Sequence, residues 1–481
     1  MCGIAFVQDS SPHPDSESLM VDAILAAYNL QHRGQDGMGI AFASDSKVHT
    51  VVKELGLVSS IMTPQRQKEF VGHRPRKFTI HTRYSTTGDA ESTVNYQPHY
   101  IDLLSDGRVT YAANGDFPNF PILQEQLLAK GLENPLSDND GEFTLRYICY
   151  LKQNFNPSWI GAIRAFMEKA PGAYSGVLMT RKEAFIFRDP WGFRPLVFGK
   201  KDNRLMFASE STALDIAGYR YEGERQIQPG EIVHVTNDGK VAFHEFAGIP
   251  PKQSFCIFER VYFSRPDSKL LIQGELADAD AEIGSYRAQL GKQLAREHPA
   301  DADIVVSLPS SGDFAWMGYA RESGIKPYMI FARNFYIMRT FIMSTQQERD
   351  FLIKLKFALM RSPLKRHKRV VLVDDSIVRG STMKGIVSEL REAGATEVHL
   401  RITFPPIIKP CFMGINMKTQ DELIASQMSL QEMEAYLGVT SLRFISPDGL
   451  AAVEQKFGGS IEKCCTACFS GEYPISPILK P

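Results

Sequence analysis

Val370-Val371-Leu372-Val373-Asp374-Asp375-Ser376-Ile377-Val378-Arg379-Gly380-Ser381-Thr382 is the stretch that decides the fold of the second half of the chain. Its apolar run predicts a strand over Arg369 to Val373, and the strand delivers two adjacent acids. A loop of Ser, Gly and Thr then opens a helix with Met383, Ile386, Val387 and Leu390 at i, i+3, i+4 and i+7, closed by Gly394. The first turn of a helix has free N–H groups and the positive end of the helix dipole, so this loop can hold a phosphate. The acids Asp374 and Asp375 can take ribose hydroxyls or help to place Mg²⁺. Ser376, Val378, Arg379, Gly380, Ser381 and Thr382 form the candidate phosphate cradle.

The same rhythm extends on both sides. Glu397 to Phe404 is the next strand, and upstream Asp303 to Leu308 leads through a Pro-Ser-Ser-Gly turn into a helix ending near Gly324. Strand–helix–strand repetition predicts a parallel sheet. Before Gly248-Ile249-Pro250-Pro251, read as the linker, the pattern differs. Short strands are expected at Gly3 to Val7, Lys77 to Thr82, Val109 to Ala112, Ala173 to Thr180, Ala184 to Phe187 and Arg204 to Ala208. Glu231 to Val235 and Val241 to Phe246 flank Asn237-Asp238-Gly239, a hairpin signal because Asp-Gly supplies the backbone angles a tight turn needs. Leu19 to Leu30 and Glu142 to Gln153 read as helices. This order predicts an α+β layer protein with mostly antiparallel sheets.

Composition sets the outer limits. The 481 residues carry 54 Lys and Arg against 55 Asp and Glu, a net charge of −1. Such a balance leaves no global field to hold a polyanion, which argues against nucleic acid as the partner. No apolar stretch reaches membrane-spanning length and no signal-peptide pattern opens the chain, so a cytoplasmic, membrane-free protein is expected. Seven cysteines, an odd and sparse set, speak against a disulfide framework; catalysis, metal or burial must account for them.

Cys2 becomes a terminal residue on removal of Met1, and would then carry a thiol and an α-amine together. With a pKa of about 7.7–8.0, that amine can serve as the base for the neighbouring nucleophile. The residues that accompany it are Gln31-His32-Arg33-Gly34-Gln35-Asp36, His81-Thr82-Arg83-Tyr84-Ser85-Thr86-Thr87-Gly88, Asn95 with Gln97-Pro98, and Asn114-Gly115. From Cys2 to about Pro229 the chain resembles the class II glutamine amidotransferases, the N-terminal-nucleophile family. The resemblance implies a four-layer αββα domain over 2–248 in which Cys2 attacks the side-chain amide of glutamine and releases ammonia. It further implies Asn114 and the backbone N–H of Gly115 as oxyanion donors, and Arg33 and Arg83 as glutamine-binding residues. Asp140 is the implied partner of the α-ammonium, with Asp138 as its rival.

The stretch around Asp374 resembles the phosphoribosyl-pyrophosphate loop of type I phosphoribosyltransferases, implying an α/β domain with a mainly parallel sheet over 255–481. Further matches are Arg188 to Leu196, Ser209-Glu210-Ser211, Glu259 to Ser268, Arg339-Thr340-Phe341-Ile342 and Gly471-Glu472-Tyr473-Pro474. Read together, the halves resemble the glutamine phosphoribosylpyrophosphate amidotransferases, which open de novo purine synthesis. That family implies a closed passage for ammonia between two sites, Mg²⁺, feedback by purine nucleotides and a homo-oligomer, a tetramer. Arg333 to Lys356 would be its flexible loop, with Arg339 in the site. The basic run from Arg349 to Arg369 reads either as a solvated helix face or as a phosphate-facing patch. Cys256, Cys411, Cys465 and Cys468 stand where cluster-bearing members carry ligands, which implies a structural 4Fe-4S cluster. Cys464 is adjacent, and Cys149 reads as core.

The chain also departs from the family's pattern. Ser310 follows Pro309 where an acid is usual, Arg333 and Phe335 stand for Lys and Arg, Met338 for Gly, Ser344 for Pro and Gly284 for Tyr. Ala113 and Asp116 flank Asn114-Gly115 in place of His and Asn. Two other readings therefore stand beside the first: a divergent paralogue that delivers ammonia to another phosphorylated acceptor, and a non-catalytic phosphoribosyl pyrophosphate sensor.

Overall fold

The structure, a computed structural model, describes residues 1–46, 48–85, 88–246, 253–272, 275–276, 282–334, 355 and 357–476. The expected linker and most of the expected flexible loop, Arg339 included, lie outside the described residues. So do Phe335, Met338 and Ser344.

Two antiparallel sheets face each other in the first half. One has nine strands, running outward from Gly3–Asp9 and Lys77–Arg83 at its centre, and the other has six, from Val241–His244 to His99–Leu103. Side chains alternate along each strand, so one strand feeds two cores. Ile4 and Phe6 point between the sheets, where they meet Val177, Met179 and Ile186. Ala5 and Val7 point the other way, onto the helix Ser16–Asn29. On the six-stranded sheet, Leu178, Phe185 and Phe187 turn outward onto the helices Asp140–Asn154 and Trp159–Lys169. Helix, sheet, sheet and helix stack as the four αββα layers expected. Each fully buried Ile, Val or Phe contributes roughly 1.5–3 kcal/mol to that stack. The Asp-Gly hairpin is present, with Val235 opposite Val241.

The second half is built on a five-stranded parallel sheet in the order 326–327, 304–307, 369–374, 397–402, 441–444. Val305, Val371 and Val373 pack under the helices Ile283–Glu297 and Asp313–Ser323. Ile304, Val306, Val370 and Leu372 face the helix Ser381–Glu392 on the opposite side. Because the strand Arg369–Asp374 is central, its C-terminal end opens in a crevice of the sheet, where open α/β sheets place their ligands. Strands Phe331–Arg333 and Phe357–Leu359 pair antiparallel on either side of the expected loop.

The halves interlock. Leu271–Ile272 and Glu275–Leu276, beyond the expected linker, extend the nine-stranded sheet through the pairing of Arg225 with Glu275. Among the described residues, no helix is long and apolar enough to cross a membrane.

Candidate active site

Cys2 lies at the mouth of the central strand of the nine-stranded sheet. The register that sets Gly3 opposite Thr82 brings the thiol to Tyr84, whose N–H donates to Sγ at 3.5 Å while Sγ–H donates to the Tyr84 carbonyl at 3.6 Å. The backbone of Cys2 is held at both ends. Its N–H donates to Asn114 Oδ1 at 3.0 Å, and Arg33 Nε donates to its carbonyl at 3.1 Å.

Asn114 comes from the strand Gly107–Asp116, which crosses beneath Cys2 on the facing sheet. It is fully buried, and among the described residues its Nδ2 has no hydrogen-bond partner. A buried amide donor left unpaired costs on the order of 1–3 kcal/mol, so the site holds it for a ligand. Gly115 has to be glycine, since a Cβ there would lie 1.9 Å from the Ala173 carbonyl oxygen.

Arg83 is buried under the segment that follows it. Its Nε donates to Ser85 Oγ at 3.0 Å, Nη1 donates to the Asn95 carbonyl, and the guanidinium lies 4.7 Å from the centre of the Tyr96 ring. Asp140 is the first residue of its helix, a position favourable to a carboxylate, and Asn139 caps that helix by accepting from Gly141 N–H. Burial, then the negative charges of Asp116 and Cys2, hold the Asp140 carboxyl well above the usual carboxylate range. Of the two rivals, Asp140 is buried within this cluster and Asp138 is exposed.

Arg33 is committed elsewhere than expected. Beyond its bond to Cys2, Nη1 pairs with Glu210 and Nη2 reaches both oxygens of Glu259 at 2.9 and 3.0 Å. Glu210 and Glu259 sit within motifs visible in the sequence, but nothing local marks them as partners of Arg33.

The second cluster lies at the end of Arg369–Asp374. Asp374 and Asp375 are both buried, and the Ser311 hydroxyl of the Pro309–Gly312 turn lies near both carboxyls and favours their charged forms. Ser376 Oγ donates to Asp375 Oδ1 at 2.6 Å. Burial raises both acids above the carboxylate range, and the charge of Asp375 raises Asp374 further. The buried Arg287 acts on Asp375 from the helix Ile283–Glu297. Gly380, at φ 76°, turns the chain into the helix Ser381–Glu392, whose N-terminus carries no side-chain cap. The N–H groups of Ser381 and Thr382 thus stay available, as an anion site needs. The Val378 carbonyl accepts from Ile424 N–H at 3.0 Å, and the half-exposed Arg379 pairs with Glu422.

Two of the sequence departures account for each other. Arg333 Nη1 donates to Ser310 Oγ at 2.8 Å, so the substituted turn and the substituted loop base bond together. At Gly284 a Cβ would approach the Phe314 ring to 2.7 Å, because Phe314 occupies the space a larger side chain would need.

The cysteines gather around two short parallel strands, Phe255–Cys256 and Cys464–Cys465, with Cys256 opposite Cys465. The carbonyl of Cys468 accepts from the N–H groups of Ile408 and Lys409, which brings the Cys411 segment alongside. The Cys468 thiol feels the charges of Cys465, Cys256 and Cys411. Burial pushes Cys256 up to about 11 and Cys464 up to about 12, and raises Cys465 and Cys468 above the usual thiol range. Among the described residues, no group of three or more His, Cys, Asp or Glu is set to hold a metal ion. The thiols of Cys256, Cys411, Cys465 and Cys468 share one neighbourhood, and four thiolates are the donor set that a 4Fe-4S cluster takes. Cys149 is buried in the helix Asp140–Asn154, as expected of core.

The likeness to known proteins runs along nearly the whole chain. Residues 81–216 match the family described as "Glutamine amidotransferase domain". A curated amidophosphoribosyltransferase of Synechocystis is 39% identical over 93% of this chain and 87% of its own length. The chain belongs to the amidophosphoribosyltransferase family. Among solved structures, one titled as the allosteric regulatory enzyme of purine biosynthesis superposes at a TM-score of 0.87. It is 33% identical, and the match covers 100% of this chain and 97% of that one. The glutamine phosphoribosylpyrophosphate amidotransferase of B. subtilis, complexed with ADP and GMP, superposes at 0.85 with 33% identity, over 100% of this chain and 98% of that one. Amidophosphoribosyltransferases are glutamine-dependent transferases of purine biosynthesis.

Proposed function

We propose that the chain converts glutamine, phosphoribosyl pyrophosphate and water to 5-phosphoribosylamine, glutamate and pyrophosphate, the first step of de novo purine biosynthesis. The observation that carries the reading is Asn114, which grips the Cys2 N–H with Oδ1 while Nδ2 stays buried and unpaired among the described residues. With Met1 removed, the α-amine of Cys2 takes the thiol proton and the thiolate attacks the glutamine amide. Asn114 Nδ2 and the Gly115 N–H receive the oxyanion, a contact stronger in the transition state than in the ground state. The α-amine returns that proton to the amide nitrogen as the C–N bond breaks, ammonia leaves, and water releases glutamate from the thioester. Arg83 takes the substrate α-carboxylate and Asp140 its α-ammonium; an arriving cation draws the buried Asp140 to its charged form. Arg33 fixes the Cys2 carbonyl.

Ammonia then attacks C1 of phosphoribosyl pyrophosphate and pyrophosphate departs. Asp374 and Asp375 hold the ribose hydroxyls, while Ser376, Val378, Arg379, Gly380, Ser381 and Thr382 form the 5′-phosphate cradle, and Arg339 is a further phosphoribosyl pyrophosphate-binding residue. Mg²⁺, when bound near Asp374 and Asp375, supplies charge that neutralises the leaving pyrophosphate. A closed passage keeps the ammonia dry and unprotonated. Cys256, Cys411, Cys465 and Cys468 would hold a 4Fe-4S cluster, which ties the 255–481 unit together and serves no redox step.

The division at 2–248 and 255–481, a cytoplasmic location, a homotetramer and feedback by purine nucleotides belong to the same reading. The nucleotide complexes of the B. subtilis relative support the last of these. The test is Cys2→Ala, assayed with glutamine and separately with ammonia. Loss of the glutamine-dependent rate with the ammonia-dependent rate kept is the expected result, and surviving glutamine turnover would remove Cys2 from its role.

A further inference from the structure

Residue 2 is clamped at both ends, and one of the clamps does not end in the glutaminase half. Arg33, which holds the Cys2 carbonyl at 3.1 Å, is itself held by both oxygens of Glu259. Glu259 accepts a second guanidinium, since Arg194 Nη1 donates to its Oε1 at 3.3 Å. Arg194 Nη2 in turn donates to the carbonyl of Met413. The side chains of Arg33, Glu259 and Arg194 are all 0% exposed, so water competes for none of these bonds. Met413 N–H donates to the Cys411 Sγ at 3.4 Å. The chain of contacts runs from a cysteine of the second half to the backbone of the nucleophile.

The same segment presses on the other half of the catalytic geometry. A Cβ at Gly414 would lie 3.3 Å from the carbonyl carbon of Gly115 and 3.2 Å from Arg194 Nη2, so residue 414 seats directly against the oxyanion strand. Four residues on, Lys418 Nζ lies 3.6 Å from Asp116 Oδ2, next to Gly115. Charges close within the cluster, with Arg33 and Arg194 set against Glu210 and Glu259. A network in which every buried charge has its counter-charge holds its members in one arrangement.

We propose that Arg194 and Glu259 are positioning residues for glutamine hydrolysis, transmitting the placement of the Cys411–Lys418 segment to the backbone of Cys2 and to Gly115. They touch no substrate. They set the angle from which the Cys2 thiol and amine meet the glutamine amide. This deepens the reading of Cys2 as the nucleophile and rests on it.

The double variant Arg194→Met/Glu259→Leu removes both charges together, so neither is stranded in the core and Arg33 keeps Glu210. Displacing a reacting group by about 1 Å costs on the order of 100-fold in rate. The expected result is a glutaminase kcat lowered by roughly 10- to 100-fold with the KM for glutamine kept. Covalent labelling of Cys2 by 6-diazo-5-oxo-norleucine slows in step, while ammonia-dependent pyrophosphate release stays at the parent rate. If the double variant does not fold, the isosteric Glu259→Gln is measured in the same way, and a smaller fall of the same pattern is expected. An unchanged kcat would overturn the proposal, as would a parallel fall of both activities, which marks a merely structural role. Cys2→Ala is run alongside: glutaminase persisting there would mean that the nucleophile, and not the positioning chain, had been misassigned.

Discussion

Asn114 faces two ways, and its replacement therefore has two effects that can be separated. In Asn114→Ala the oxyanion loses a donor, and kcat for glutamine hydrolysis should fall by about 10²–10³, equivalent to roughly 3–4 kcal/mol. Its effect on KM should be small, because the contact forms in the transition state; steady-state kinetics on glutamine alone checks this. Asp140→Asn should act on KM instead, raising it at least tenfold by removal of the partner of the α-ammonium. The exposed Asp138→Asn should leave glutamine kinetics at the parent values, and equal effects of the two would reopen the choice between them. Cys2, Asn114-Gly115 and Arg83 stand out in the sequence through their joint resemblance, in that order, to the class II glutamine amidotransferases; each by itself reads as a small apolar residue, a turn or a surface charge. Glu259 does not stand out in this way, since its partner Arg33 lies 226 positions away and no local pattern records the pairing.

Strands flanking a turn signal, or made of a short apolar run, are legible in the amino-acid order itself, as the Asp-Gly hairpin and Arg204–Ala208 show. Gly37–Ala43 is not, although it is wholly buried, second from the edge of its sheet. Its glycines read as loop, yet a Cβ at Gly39 would come within 2.0 Å of the Gln97 carbonyl oxygen and one at Gly37 within 2.3 Å of that of Glu54. They are there because neighbouring backbone passes close by. The neighbouring strand Lys77–Arg83 carries a different cost. Lys77 is fully buried with Nζ on Asn237 Oδ1 at 2.8 Å, and burial lowers its ammonium to about 7. The unfolded chain keeps that proton up to about pH 10.4, so this residue's penalty on stability grows as pH falls from about 10 to 7 and is complete below. Lys77→Met should therefore stabilise the protein by roughly 2–4 kcal/mol at pH 7, and by progressively less toward pH 10. Urea denaturation of parent and variant at both pH values checks this, and a gain that did not vary with pH would contradict it. At the other site, Asp374→Asn and Asp375→Asn should raise the KM for phosphoribosyl pyrophosphate at least tenfold while glutamine analogue labelling of Cys2 continues.

The whole molecule joins two halves of different architecture, a pair of antiparallel sheets and a parallel sheet. Their presence and order are legible in the sequence, because each half carries a long motif of its own. How they are joined is not. The short strands 271–272 and 275–276 that extend the first sheet, and the segment 411–418 seated on Gly115, lie far along the chain from what they touch and have no periodicity that announces the contact. Interlocking of this kind suits an enzyme that must pass ammonia from one site to the other without loss to water. The pairing of Ser310 with Arg333 shows that the substituted Pro309–Gly312 turn remains a connected structure. The most direct test of the two-site account is to follow glutamate and pyrophosphate in one reaction containing glutamine, phosphoribosyl pyrophosphate and Mg²⁺, with anaerobically purified protein. Release of the two in equal amounts, each dependent on both substrates, is the predicted result. Glutamate released without pyrophosphate would contradict it.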